Sequence, residues 1–182
     1  MSGAALTPPV GERDHAAGSA DAPVTLVEYG DYECPYCGMA HPIVQRLQAA
    51  LDKQLRFVFR NFPLNEAHPH ARIAAQAAEG ARAQGKFWEM HHTLFEHQDT
   101  LDRDEILGYA KSIGIDATRL ASELDSGTYE KHVREDFRGG VKSGVNGTPS
   151  FFINGERYDG SWANEEAFLT TLREAAQAGT TN

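Results

Sequence analysis

The chain carries two cysteines, Cys34 and Cys37, separated by Pro35 and Tyr36. Two thiols at this spacing form and break one disulfide with little backbone movement, which is the equipment for thiol–disulfide exchange. The pair follows an apolar, β-rich run, Val24 to Tyr29, and precedes Ile43, Val44, Leu47 and Leu51 at helical spacing. Cys34 is therefore expected at a helix N-terminus, where unpaired N–H groups and the helix dipole favour thiolate over thiol. The thiolate is the attacking species, so Cys34 is the candidate nucleophile and Cys37, one turn later, the more buried resolving thiol. Pro35 suits the first helical position, because its missing N–H would be unpaired there anyway. Tyr36 offers no positive charge, which puts the expected Cys34 pKa at the milder end of the roughly 3.5 to 7 span of such motifs. Zinc is the competing use of these thiols, with His41 as a third ligand. Structural zinc sites present four ligands in compact pairs, so no metal is expected.

The rest of the chain supplies elements to hold this pair. Residues 1–20 are rich in Ala, Gly, Pro and Ser and read as a loose arm. Leu55 to Arg60 reads as a second strand, parallel to the first because a helix joins them. From residue 66 to 143 the spacing is helical, with Pro69 opening one helix and Asp102, Asp116 and Ser126 capping others. Gly139-Gly140 weakens the last of these patterns. Ser150 to Asp159 reads as a hairpin turning at Asn154-Gly155, and Asn164 caps a final helix. Pro42 should kink the helix that carries the cysteines. The histidines at positions 68, 70, 91, 92, 97 and 132 read as exposed helix residues. Strand, helix, strand, helical block, hairpin and helix together make an α/β protein: a mixed sheet with helices on both faces and a helical insertion.

Glu28 is an acid in an apolar strand, six residues before Cys34. By alternation it shares a face with Val24 and Leu26. It is either a buried proton acceptor and donor for Cys37 through water, with a raised pKa, or a strand-end group reaching solvent.

The net charge of −9 argues against nucleic acid and anionic membrane surfaces as main partners. No stretch approaches the roughly 20 apolar residues of a membrane-spanning helix. The N-terminus shows neither a basic nor an apolar segment of a secretory signal, which gives a cytoplasmic expectation. In that compartment a structural disulfide is out of place, and a CxxC pair is expected to be catalytic or metal-binding. The glycines are scattered in turns and helix ends, so no phosphate loop is present.

Cys34-Pro35-Tyr36-Cys37 after a strand, Pro42 beyond it, and Gly147-Thr148-Pro149 before the hairpin resemble the DsbA-like branch of the thioredoxin superfamily over residues 22–178. The resemblance implies a thioredoxin-like fold with a central mixed sheet and an inserted all-helical domain. Residues 21–65 and 144–180 would form the discontinuous thioredoxin-like part, and 66–143 the insertion. It implies a cis bond before Pro149, with Thr148 offering backbone hydrogen bonds to an extended client beside the cysteines. An acid at the place of Glu28 is common in the family. The resemblance implies a dithiol–disulfide oxidoreductase without a cofactor, acting on protein or peptide thiols and recharged by a redox partner. The opening Asp21 to Asp31 is similar to soluble, signal-less members, and similar modules occur fused to sodium/proton antiporters. Pro-Tyr between the cysteines is a glutaredoxin-like pair, with an expected potential of roughly −200 to −230 mV. The direction of electron flow is therefore not carried over. A disulfide isomerase and a redox-sensing regulatory module remain as alternatives.

Overall fold

A computed structural model describes residues 4–180. Its strands are β1 (His15–Ala17), β2 (Val24–Gly30), β3 (Leu55–Asn61), β4 (Ser150–Ile153) and β5 (Glu156–Tyr158). Its helices are α1 (Pro35–Leu51), α2 (Ala71–Ala83), α3 (Phe87–Glu96), α4 (Arg103–Ser112), α5 (Ala117–Ser126), α6 (Glu130–Lys142) and α7 (Glu165–Gly179). The chain divides into two compact units. One is built from the chain up to Gly30, Met39–Arg60 and the chain from Gly139 onward; the other comprises Asp31–Gly38 and Asn61–Arg138. This division differs from the expected boundaries, because the CxxC turn groups with the helical segment.

The first unit holds a mixed five-stranded sheet in the order β1-β3-β2-β4-β5. β2 is buried along both faces: Val27 and Tyr29 are as hidden as Val24, Leu26 and Glu28. Strands covered on both sides read as near-continuous apolar runs, which is the sequence of β2 and β3. The β4–β5 hairpin turns through Asn154 and Gly155, both at positive φ (49° and 84°), the geometry an Asn-Gly two-residue turn supplies. Asn164 caps α7 by accepting from the Ala167 N–H at 3.1 Å. Phe168 of α7 stacks on Tyr158 at 4.6 Å and meets Phe151 edge-on at 5.1 Å.

The N-terminal segment corrects the expected loose arm over its described residues; residues 1–3 of that reading lie outside them. β1 pairs antiparallel with β3, and the Leu6 N–H donates to the Gly155 carbonyl at 2.8 Å. Arg60 anchors the segment from the sheet. Its guanidinium grips the Asp14 carboxylate through Nε (2.8 Å) and Nη2 (3.0 Å). The remaining donors go to the Pro8 and Pro9 carbonyls and the Tyr29 hydroxyl. All five guanidinium N–H groups are thus used, which is what a buried arginine requires. Gly139 of α6 has a related role: a Cβ there would press on the Thr7 carbonyl, Pro8 and the Tyr29 hydroxyl at 3.2 to 3.3 Å. The glycine pair that weakens the helical pattern lets α6 pass close to this segment.

In the second unit α2 is lined by buried alanines at 74, 75, 77, 78 and 81, small enough for α3 and α5 to approach closely. A Cβ on Gly80 would collide with Leu120 of α5. Asp102 and Asp116 cap α4 and α5 as their sequence positions predict. Ser126 does not cap a helix. It ends α5, its hydroxyl pairs with Thr128 at 2.8 Å, and Gly127 closes the helix at φ 66°. Pro69 precedes α2 rather than opening it, because the His70 N–H is held by Glu33 at 2.6 Å and the helix begins at Ala71. No helix among the described residues is long and apolar enough to cross a membrane.

Burial alone would raise the Asp14 carboxyl's pKa, but the hydrogen bonds from Arg60 and the Gly11 N–H, with the Arg60 and Arg13 charges, hold it below the ordinary carboxylate value. Its stabilising contribution is present above the unfolded pKa of about 3.9 and is lost as pH falls through the lower folded value. Asp14→Asn leaves Arg60 buried without its counter-charge and should cost roughly 3–5 kcal/mol in urea unfolding at pH 7. That loss should shrink as the wild type is titrated into acid.

Candidate active site

α1 begins at Pro35 and places Cys34 at its N-terminal cap. The Cys34 N–H donates to the Asp31 carbonyl at 3.1 Å, and the Cys34 carbonyl accepts the helix's first bond from the Gly38 N–H at 3.1 Å. Both cysteines are buried, Cys34 at 3% exposure and Cys37 at 0%. The residue that must be reached from outside thus keeps a sliver of surface that its partner lacks. Tyr36 is 62% exposed, so the inter-cysteine dipeptide presents a ring to solvent rather than a charge.

The turn before the cysteines is held by groups the sequence reading did not single out. Asp31 is buried, and its carboxylate accepts from the Glu33 N–H at 2.8 Å and the Leu64 N–H at 2.8 Å. The same carboxylate pairs with His68 Nδ1 at 2.8 Å. Two residues on, Glu33 repeats the arrangement, taking the His70 N–H at 2.6 Å and facing His70 Nδ1 at 2.9 Å. The Gln98 side-chain amide donates to the carbonyls of Tyr32 (2.9 Å) and Cys34 (2.8 Å). Gly38 must be glycine for this, because a Cβ there would occupy the Gln98 amide position. Beneath the turn, Tyr32 is buried against Phe95 (4.8 Å), with its hydroxyl 2.9 Å from His91 Nδ1.

The histidines therefore correct the expectation of exposed helix residues. His91 is buried, and His68 and His70 belong to the loop before α2 and face acids of the CxxC turn. The signal was present as matched spacing: Asp31 and Glu33 are two apart, as are His68 and His70. Burial lowers the His68 pKa, but the hydrogen bond to Asp31 and the charges of Asp31, Cys34 and Glu33 outweigh it, and the net shift is upward. An imidazole from a separate loop is thus coupled to Cys34, which the reading of Tyr36 could not anticipate.

The remaining sequence candidates lie in the sheet unit. The Thr148–Pro149 peptide is cis. It leads directly into β4, where Ser150 pairs with Tyr29 and Phe151 with Glu28. Glu28 is buried at 2% exposure, so the reading of it as a solvent-reaching strand end is set aside.

The thioredoxin family model matches residues 11–172. The chain belongs to the thioredoxin family. Its fold is similar to oxidised BdbD from Bacillus subtilis, with a TM-score of 0.86 and 26% identity, covering 97% of this chain and 100% of that one. A thioredoxin-like oxidoreductase from Silicibacter pomeroyi matches at 30% identity and TM-score 0.80, covering 92% and 94% of the two chains. Both solved structures share the thioredoxin-like fold of this chain. Among curated relatives, a Na(+)/H(+) antiporter NhaA 1 of Salinispora arenicola is 46% identical over 93% of this chain but only 26% of its own length. The chain thus spans about a quarter of the antiporters it matches. The expected cytoplasmic location is corrected by these findings: the relatives are ion antiporters, and the structural neighbours are DsbA-like. Proteins of that kind work in the oxidising space outside the bacterial cytoplasm. The N-terminal sequence was the wrong guide, because a chain matching a quarter of its relatives carries no compartment information at its first residue.

Charge interaction is reciprocal, so whatever Cys34 thiolate does to raise His68, protonated His68 does to favour the thiolate. His68→Gln should slow iodoacetamide alkylation of Cys34 below pH 7 by roughly two- to fivefold and move its pH profile upward. Because the folded His68 pKa is raised, its stabilisation is fully present below the unfolded value of about 6.5. It is lost as pH rises through the folded value. Urea unfolding of His68→Gln should lack that part of the decline as pH rises above about 6.5.

Proposed function

We propose that this protein exchanges disulfides with protein or peptide thiols through Cys34-Pro35-Tyr36-Cys37. The observation that carries the reading is Cys34 at the N-terminal cap of α1, with its amide bonded to Asp31 and the Asp31–His68 pair alongside. The helix N-terminus and the imidazolium stabilise a Cys34 thiolate. That thiolate attacks one sulfur of a client disulfide; a Cys34–client S–S bond forms, the client S–S bond breaks, and the other client sulfur leaves as thiolate. Cys37, deprotonated, then attacks Cys34 Sγ, forming the Cys34–Cys37 disulfide and releasing the second client thiolate. The client gains two electrons and the protein loses two. Run in reverse, the same steps oxidise a client dithiol, and a redox partner outside this chain resets the pair. Buried Glu28 is assigned the proton exchange with Cys37 through water. Thr148, held by cis Pro149, is assigned backbone hydrogen bonds to the extended client.

A second reading is favoured by the antiporter relatives, which are 41–46% identical over nearly all of this chain. In that reading the same cysteine pair senses redox state and gates a transporter partner.

Cys34→Ser should abolish reduction of insulin by the protein in dithiothreitol, a loss of at least about a hundredfold set by removal of the nucleophile. Cys37→Ala should instead accumulate a mixed disulfide with the client, visible by non-reducing gel and mass spectrometry. A Cys34→Ser protein that keeps full turnover sinks the exchange reading. Wild-type protein with no turnover on any client disulfide, but with redox-dependent partner binding, supports the sensor.

A further inference from the structure

The helical unit contains a cavity of about 640 Å³ that lies outside the CxxC turn, bounded by the loop after β3, α2 and α6. This volume is in the range of sites that enclose a ligand of peptide-segment or drug size. Pro63, Leu64, Val133 and Phe137 form apolar walls, and Phe137 is fixed by stacking on Phe62 at 4.3 Å. Gln76 lines the same cavity. It is 8% exposed, and its Oε1 is buried with no hydrogen-bond partner among the described residues. A buried amide oxygen left unpaired costs about 1–3 kcal/mol, and an incoming N–H or O–H donor would recover it.

The charges at the cavity select the class of occupant. Arg72 and Arg134 both pair with Glu130, and Glu66 lines the wall, so two cationic side chains are balanced by two anionic ones. A phosphate or other strongly anionic ligand would have to displace Glu130 and face Glu66. A neutral polypeptide meets no such conflict: its backbone N–H satisfies Gln76, and its apolar side chain covers Val133 and Phe137. The loop that forms one wall is tied to the reacting turn. The Leu64 N–H and His68 both bond to the Asp31 carboxylate, and the Asp31 carbonyl takes the Cys34 N–H.

We propose that this groove holds an extended, uncharged stretch of the client polypeptide flanking the cysteine that Cys34 attacks. The inference rests on the exchange reading above and adds to it where the client's chain runs.

The test is amide and side-chain NMR of the reduced chain titrated with a cysteine-free, uncharged apolar decapeptide. It is paired with exchange kinetics on a peptide disulfide and on oxidised glutathione. Shifts at the Gln76 side-chain amide, Val133 and Phe137 are expected. In Gln76→Leu the kcat/KM for the peptide disulfide should fall roughly five- to tenfold more than that for oxidised glutathione, the loss of one hydrogen bond. Phe137→Leu should show the same selective fall, which keeps the test valid if Gln76→Leu does not fold. Equal losses on both disulfides, or peptide-induced shifts confined to other residues, overturn the groove. So do shifts at these positions caused by inorganic phosphate and abolished by Arg72→Ala. A wild type that exchanges with neither disulfide yet shows the groove shifts overturns the exchange reading and leaves the groove standing.

Discussion

The second unit's reactive turn depends on one buried carboxylate. Asp31 is 1% exposed, and it holds the Glu33 N–H, the Leu64 N–H and His68 within 2.8 Å. A buried carboxylate is tolerated when hydrogen bonds and an opposing charge replace the water it has lost. Here those replacements come from two segments far apart in sequence, the turn at 31–34 and the loop at 64–68. Satisfying Asp31 therefore does two things at once. It fixes the entry to α1, and with it the position of Cys34 relative to the unpaired N–H groups of the helix. It also fixes the loop that delivers the imidazole.

That arrangement changes how the cysteine pair should be understood. Where a histidine stands between the cysteines, the charge that favours the thiolate travels on the same helix turn. In this chain Tyr36 stands there and faces solvent. The histidine that couples to Cys34 is His68 instead, held by Asp31; against the lowering effect of burial, the Asp31 hydrogen bond and charge push its pKa up. Each acid faces a histidine of the same distant loop, Asp31 with His68 and Glu33 with His70. Under the proposed exchange reading, a Cys34 thiolate answers to the Asp31–His68 pair of a distant loop as well as to its own helix N-terminus.

The sequence was most legible where one local rule decides the outcome. Cys34 and Pro35 at a helix start, Asp102, Asp116 and Asn164 as caps, and Asn154-Gly155 as a tight turn all follow from single-residue preferences. The thioredoxin-like architecture followed from motif order. What stayed hidden depends on pairing across sequence distance. Asp31 with His68 spans 37 residues, and Arg60 with Asp14 spans 46. No periodicity marks either pair. The described residues before β2 looked unstructured because their composition is poor in core-forming side chains; they are ordered instead by Arg60 and by backbone bonds to the sheet. Glu28 was ambiguous because alternation assumes one wet face, whereas β2 is dry on both.

The same distinction explains why glycine misled in α6. Gly139-Gly140 lowers helix propensity by about 1 kcal/mol per residue relative to alanine, a fair argument for ending the helix. The helix nonetheless continues to Lys142, because at Gly139 the missing side chain is what admits the Thr7 carbonyl and Pro8. Ser143, just beyond, then receives the Thr7 N–H on its hydroxyl at 2.8 Å. The intrinsic cost of the glycine is offset by contacts that only the glycine permits. Gly38 follows the same logic at the reactive turn, where its bare backbone admits the Gln98 amide that secures the Cys34 carbonyl. In both places a residue that is unfavourable for its own helix is selected by what a distant segment needs to reach.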